Sequence, residues 1–143
     1  MGMISNDRQY QQTRKKAGEL EQLLAAVEHG TAGDDGFRDL QADGLRSQLA
    51  DLRDELAEYD ELRSGTTTSF ESSTLAGLAD ALIKARIARG WTQADLADAL
   101  GVAEQQVQRY EASRYAGASL ARLGDITTAL NLNVTEIVEL RAS

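Results

Sequence analysis

A stretch of twenty residues, TQADLADALGVAEQQVQRYE at 92–111, carries side chains suited to contacting nucleic acid bases. On a helix lying in the major groove, glutamine pairs its donor and acceptor with adenine, and arginine pairs its donors with guanine. Gln105, Gln106 and Arg109 offer these groups at helical spacing, and we predict that they contact base edges. The alternative interpretation is a solvated polar helix face.

Two helices must hold these side chains, and the residues before them have the spacing of a helix-turn-helix. Ala97, Gly101 and Val107 stand where two helices meeting at a steep angle need a small side chain, a residue free to turn and an apolar plug. Thr92 followed by Asp95 predicts a capping box at the start of the first helix. Two amphipathic helices joined at Gly-Val would not explain these offsets.

At these residues the chain resembles the XRE-type family of phage-repressor and Cro-like regulators. The resemblance runs from Leu75 to about Val134, and LIKARIARGWTQ and SLARLGDITTALNLNV look like the first and fourth helices of that five-helix fold. It implies DNA binding, with bases contacted from the start of the second motif helix and about one turn later. The matching positions here are Glu104, Gln105, Gln106 and Arg109. Glu104 is suited either to a cytosine amine or to the positive end of the helix dipole.

Contacts to phosphate are expected from helix-start amides and cations around the motif. The predicted set is Lys84, Arg86, Arg89, Thr92, Gln93, Ser113 and Arg114. In this family an arginine of the first helix often pairs with a glutamate ending the recognition helix, and Arg86 and Glu111 match those positions. The resemblance leaves open whether Arg86 is structural, contacts phosphate, or does both. After Glu111 many members have Asn-Gly where this chain has ASRYAGAS, so we expect a remodelled loop.

The composition excludes several kinds of chemistry and divides the chain by charge. The 143 residues include no cysteine, a single histidine, no glycine-rich phosphate loop and no paired carboxylates in a plausible pocket, so we expect no enzyme activity, no cofactor and no metal. Residues 1–73 hold fifteen acidic and eight basic residues, a net charge of −7, against eight and seven, or −1, in residues 74–143. Attraction to phosphate should therefore be weak, and specific contacts with dimerisation must supply the affinity.

The front half shows two helical stripes separated by a glycine-containing loop at HGTAGDDGF. The first stripe comprises Tyr10, Thr13, Ala17, Leu20, Leu24 and Val27, and the second Leu45, Leu49, Leu52, Leu56 and Tyr59, with Leu62 close by. These spacings predict two antiparallel helices. The charged flanks of the second stripe suit a short coiled coil, which would supply a dimer contact. Whether the helices pair within one chain or between two stays open.

The predicted fold is all-α: an N-terminal helical hairpin or short coiled coil, followed by a five-helix phage-repressor-like helix-turn-helix domain. We expect the hairpin at residues 1–63, a linker at 64–74 in which Phe70 docks on a neighbour, and the DNA-binding domain at 75–143. A helix should start after Ser73 or Thr74 and run to Arg89, with Gly90 as its C-terminal stop. The tail at 133–140 favours a short helix, with a dimer-edge strand as the alternative.

The resemblance implies a homodimer on double-stranded DNA carrying an inverted-repeat operator. The acidic front half favours an autoregulating antitoxin that binds a co-encoded toxin through its N-terminal helices, with Tyr10, Leu20 and Leu24 as apolar contacts. The alternatives are a stand-alone repressor and an adaptor that contacts only proteins. Because the polar start lacks a signal region and no apolar run approaches ~18 residues, we expect a cytoplasmic protein outside the membrane.

Overall fold

The computed structural model describes residues 2–30 and 33–142. In these ranges the chain forms six α-helices and no strand, so the all-α prediction is confirmed. The chain divides into two compact units, Met1–Thr68 and Ser69–Ser143. Residues 31 and 32 of the predicted loop lie outside the described residues. No helix of the described ranges is both long enough and apolar enough to span a bilayer.

The first unit is an antiparallel pair of helices, α1 at Asp7–His29 and α2 at Asp35–Arg63. Asn6 caps α1 by accepting a hydrogen bond from the amide of Gln9 at 2.8 Å. Ion pairs join the two helices along their length in opposite chain order: Arg63 with Asp7, Arg53 with Glu21, and Arg46 with Glu28. The helices therefore pair within one chain.

The leucine stripe of α2 is used inside this unit. Leu49 and Leu62 are buried, and Leu45, Leu52 and Leu56 are half-buried. In this arrangement α1 of the same chain packs against the stripe that was predicted to supply a contact between two chains.

The apolar stripe of α1 is consumed in the same way. Leu20 and Leu24 are half-buried. The ring of Tyr10 lies 5.2 Å from that of Tyr59, and its hydroxyl donates to Asp60 at 3.1 Å. This hydrogen bond to a carboxylate raises the pKa of Tyr10. The three residues predicted to bind a partner thus belong to the hairpin's own packing.

The second unit contains four helices: α3 at Leu75–Ala88, α4 at Gln93–Leu100, α5 at Glu104–Ala112 and α6 at Leu120–Ala129. The predicted start of α3 after Thr74 is confirmed, and the helix ends at Ala88, one residue before the predicted end. Thr74 caps α3 and Ser119 caps α6 through their side-chain oxygens. The core is formed by apolar residues from all four helices and the turn after α6: Leu82, Ile83, Leu96, Val107, Ile126 and Leu130.

The end of the predicted linker belongs to this second unit. Phe70 is half-buried and, together with Ala81 and Lys84 of α3, lines a cavity of about 270 Å³. Ser72 donates its hydroxyl hydrogen to the carbonyl of Thr74 at 2.7 Å. Phe70 thus lies beside α3 across this cavity, and the division between the units falls after Thr68.

The tail after α6 forms neither the helix that we favoured nor a strand. Residues 133–142 have no regular secondary structure, and Ile137, Val138 and Leu140 are at least four-fifths exposed. The prediction of a fifth helix here is wrong. The segment VTEIV is rich in β-branched residues, which lose side-chain freedom in a helix, and no apolar helix face is buried to compensate.

Candidate nucleic-acid interface

A capping box fixes the start of α4. The hydroxyl of Thr92 accepts from the amide of Asp95 at 3.0 Å, and the carboxylate of Asp95 accepts from the amide of Thr92 at 2.8 Å. The second of these hydrogen bonds lowers the pKa of Asp95. Two amides that a helix start leaves without partners are thereby satisfied, and the first motif helix has a defined beginning.

A left-handed glycine sets the direction in which the chain leaves α4. Gly101 has φ of +71°, a conformation that glycine adopts without a side-chain clash. The amide of Val102 then donates to the carbonyl of Ala97 at 3.0 Å, as in a Schellman turn. Ala97 is 1% exposed and Val107 is fully buried. The small residue, the turn and the apolar plug together fix how α5 lies against α4.

A buried charge cluster ties α3, α4 and α5 together. The Glu111 carboxylate accepts from Arg86 Nε at 2.6 Å, from Arg86 Nη2 at 2.9 Å and from Gln93 Nε2 at 2.9 Å. Arg86 also donates to the carbonyl of Trp91 at 2.7 Å. Both charged side chains are at most 3% exposed, so this ion pair is shielded from solvent.

This cluster corrects two of the predicted phosphate contacts. The guanidinium of Arg86 and the side-chain amide of Gln93 are buried and bound to Glu111, so neither is available to a phosphate. Arg86 is therefore structural. Gln93 retains only its backbone amide, at the first position of α4, for such a contact.

The outer face of α5 carries four exposed polar residues. Gln105, Gln108 and Arg109 are spaced by three and four residues and so lie on one side of the helix. Glu104 stands beside them and accepts a weak hydrogen bond from Gln108 at 3.5 Å. Gln106 is half-buried at the edge. We define Glu104, Gln105, Gln108 and Arg109 as the outer face of α5.

Gln108 is the residue of this face that sequence reasoning did not select. It follows Gln105 by three residues, and that spacing was the available signal. Arg109 stands out as the cation of the face, because no acidic side chain of residues 2–30 or 33–142 pairs with it. The face therefore offers two amides, one carboxylate and one uncompensated guanidinium.

Of the five remaining predicted phosphate contacts, Lys84 is half-buried on α3, and the other four are engaged within the unit. Arg89 donates to two carbonyls at the end of α6, both at 2.9 Å. Arg114 pairs with Asp80 of α3. The hydroxyl of Thr92 is used in the cap of α4. The hydroxyl of Ser113 donates to the carbonyl of Tyr110, in the last turn of α5, at 3.3 Å. Each of these four is exposed and accessible to solvent.

The loop that follows α5 is strained and anchored by an aromatic ring. Arg114 and Tyr115 have φ of +52° and +57°, in the left-handed region that residues other than glycine rarely adopt. Tyr115 is 5% exposed and its ring stacks on that of Tyr110 at 5.6 Å. Burial, reinforced by the charge of Glu111, raises the pKa of Tyr115. Stacking thus holds Ser113 and Arg114 at the end of α5.

This geometry suits the recognition of bases and phosphates by hydrogen bonds. Ala103, which precedes α5, makes no side-chain cap, so the first amides of α5 remain open to an outside acceptor. Within the described ranges no three histidine or acidic side chains are grouped as a metal site requires. A rigid helix with open amides, two glutamines and one arginine on its outer side can form hydrogen bonds to base edges and phosphates.

Comparison with known proteins locates a family in this part of the chain. Residues 82–137 match the family model described as helix-turn-helix, and the match covers the second half of α3 together with α4, α5 and α6. The match confirms the resemblance identified from the motif residues. No curated protein and no solved structure matches the chain.

Proposed function

We propose that this chain, which contains an XRE-type helix-turn-helix domain at residues 82–137, is a sequence-specific regulator of transcription that binds DNA as a homodimer. The domain is a DNA-binding regulatory module. The specificity, the dimer and the operator are our proposal. The same proposal implies that the protein acts in the cytoplasm, where it binds chromosomal DNA.

The observation that carries the proposal is the contrast between the two sides of α5. The inner side is held by Val107 in the core and by the Glu111 cluster. The outer side presents Gln105, Gln108 and Arg109 to solvent. A helix held from behind loses little further freedom on binding, so its side chains are preorganised for hydrogen bonds to bases.

A dimer is proposed because one such helix contacts only a few base pairs. Two helices about 34 Å apart would read an inverted repeat. Since the leucines of α2 are used within the hairpin, we propose the exposed tail as the contact. In an extended strand Val134, Val138 and Leu140 lie on one face, and pairing with the same strand of a second chain would cover them.

The readout test compares two kinds of substitution on a duplex first selected from a random library. Gln105→Ala and Arg109→Ala should each cost about 1 to 3 kcal/mol of binding and relax preference at particular base pairs. Arg114→Ala should weaken binding to all duplexes alike. If the α5 variants keep both affinity and sequence preference, the assignment of α5 to base contacts fails.

The dimer test uses sedimentation at tens of micromolar, with and without the selected duplex. Val138→Asp should convert a dimer to a monomer, whereas Glu139→Gln, a neighbouring change without loss of apolar surface, should not. A wild-type protein that is monomeric both free and on DNA would refute the dimer. A dimer insensitive to Val138→Asp would refute the tail as its contact.

A second candidate is an autoregulating antitoxin, which the charge of the first unit favours. Residues 1–73 carry a net charge of −7, and most of them form a compact unit separate from the helix-turn-helix. An acidic helical unit can bind a basic toxin surface while the other unit binds the operator. A stand-alone repressor needs no such unit.

Co-expression with the product of the adjacent reading frame tests this candidate. Full-length chain should restore growth of cells producing that protein and co-purify with it. A lack of rescue and of co-purification would leave the stand-alone repressor.

A further inference from the structure

An open apolar groove lies between the helices of the first unit, towards the end where the loop joins them. Leu23 and Val27 of α1 line it on one side, and Leu40, Gly44 and Leu45 of α2 on the other, around a cavity of about 270 Å³. Gly44 helps to keep the groove open, because it has no side chain and no atom lies within 4 Å of the place where a Cβ would stand. The groove is thus a concave surface and not a closed core.

The groove keeps large apolar side chains in contact with water. Leu23 is 52% exposed, Leu40 is 69% exposed, and Phe37, three residues before Leu40 on the same side of α2, is 57% exposed. Single exposed apolar residues are ordinary on protein surfaces, but a group of them around a concavity is characteristic of binding sites. These residues are also outside the two stripes that build the hairpin.

The charge around the groove indicates what kind of molecule fits it. Residues 19–46 contain seven acidic residues and two arginines, a net charge of −5. Both arginines are already paired, Arg38 with Asp35, and Arg46 with Glu28 and Asp43. The cations of α1 lie in its first half, at residues 8–16. Residues 47–63 add a net charge of −4, so the unit is acidic from residue 19 onwards, at the groove as well as along the rest of α2.

We propose that this groove is a docking site for a basic protein segment that inserts an apolar side chain. A second copy would bring its own charge of −5, and an anionic lipid surface or a nucleic acid would also be repelled. A cationic partner gains attraction at the rim and apolar burial at Leu23, Phe37 and Leu40. This inference rests on the antitoxin candidate only for the biological identity of the partner.

The probe is a synthetic helical peptide with leucines on one face and lysines on the other, titrated into the full-length protein. We expect saturable binding with one peptide per chain, weakening as salt rises. A peptide with glutamates for the lysines should not bind, and one with alanines for the leucines should bind at least tenfold more weakly. Equal binding of the alanine peptide would overturn the proposal, because charge alone would then account for it.

Groove variants locate the site. Leu40→Ser removes an anchor contact, and Gly44→Leu fills the groove in open space without removing a packed side chain. Each should weaken peptide binding at least tenfold. Leu120→Ser, at an even more exposed leucine of the second unit, should leave it unchanged. Peptide affinity insensitive to Leu40→Ser and Gly44→Leu would overturn the groove as the site.

Four further measurements exclude other occupants, check folding and separate this inference from the DNA-binding proposal. Self-association lost in Leu40→Ser, or binding of the wild type to phosphatidylserine vesicles, would overturn the choice of a cationic protein partner. Circular dichroism should show that the variants keep their helix content. Leu40→Ser and Gly44→Leu should bind the selected duplex as the wild type does. If the wild type fails to bind DNA, the regulator is refuted, and the peptide titration still tests the groove.

Discussion

Replacing Glu111 with Gln should destabilise the helix-turn-helix unit strongly, because it leaves a buried arginine without its counter-charge. Glu111 and Arg86 are at most 3% exposed, and the carboxylate accepts three hydrogen bonds shorter than 3.0 Å. Glutamine has the shape of glutamate but no charge, and its side-chain NH₂ group would face the N–H donors of Arg86 and Gln93. Breaking a buried pair by removing one partner costs about 3 to 5 kcal/mol. A unit of this size has a total stability of roughly 4 to 11 kcal/mol.

Urea unfolding followed by the fluorescence of Trp91 measures this cost. Trp91 is the only tryptophan, it is half-buried, and its carbonyl binds Arg86, so its signal reports the second unit alone. The matched control is Asp80→Asn, which breaks the exposed pair with Arg114 and should cost no more than about 1 kcal/mol.

The double variant Arg86→Met with Glu111→Leu distinguishes a buried charge from a simple loss of contacts. Replacing both partners with apolar residues of similar size is often neutral, although Gln93 then loses its acceptor at a cost of about 1 to 3 kcal/mol. The double variant should therefore be more stable than Glu111→Gln alone. A Glu111→Gln loss below about 1 kcal/mol, equal to that of Asp80→Asn, would refute the reasoning.

Three further predictions concern the motif itself. Thr92→Ala removes the side-chain cap of α4 and should cost about 1 kcal/mol in the same urea assay. Gly101→Ala should cost about 1 to 2 kcal/mol because of its left-handed φ, whereas Gly124→Ala, in open space within α6, should stabilise by about 0.5 to 1 kcal/mol. Because the pKa of Asp95 is lowered, its stabilisation is present above the unfolded value of 3.8 and is lost as pH falls through the lower folded value. The stability difference between wild type and Asp95→Asn should therefore shrink between pH 6 and pH 2.5, and a constant difference would contradict this.

The parts of the fold that short-range rules specify were predictable from the sequence. The capping box at Thr92 involves atoms three residues apart, and the turn at Gly101 needs only a residue that tolerates a positive φ. The two stripes of the hairpin likewise follow from helical periodicity. Each of these signals is complete within about one or two helical turns, so the absence of tertiary information did not matter.

The errors arose where distant residues decide the outcome. The resemblance predicts that Arg86 pairs with Glu111, but local rules could not decide between a structural role and a phosphate contact, because burial of the pair depends on residues 25 positions apart. The leucines of α2 suit a partner helix equally well whether it comes from the same chain or another. The tail at 133–140 is exposed along its length, so no burial of an apolar helix face compensates for its β-branched residues. The groove could have been suspected from Leu23, Phe37 and Leu40, which are apolar but outside the predicted stripes.

Most of the cations predicted to contact phosphate already bind groups of their own unit, and this bears on the salt dependence of DNA binding. Of the four cations expected at phosphates, Arg86 is buried, which leaves at most Lys84, Arg89 and Arg114 in each chain. Because each phosphate contact by a cation contributes about −0.9 to the slope of log K against log salt concentration, a dimer with six such contacts has a limit of about −5.

Arg89 and Arg114 already bind groups of their own unit, so the measured slope should be shallower than that limit. Fluorescence anisotropy titrations of the selected duplex at about 50 to 300 mM salt measure this slope. A slope steeper than about −6 would mean that cations outside this set contact the backbone. A shallow slope with strong preference for one duplex would mean that base contacts from α5, together with dimerisation, provide most of the affinity.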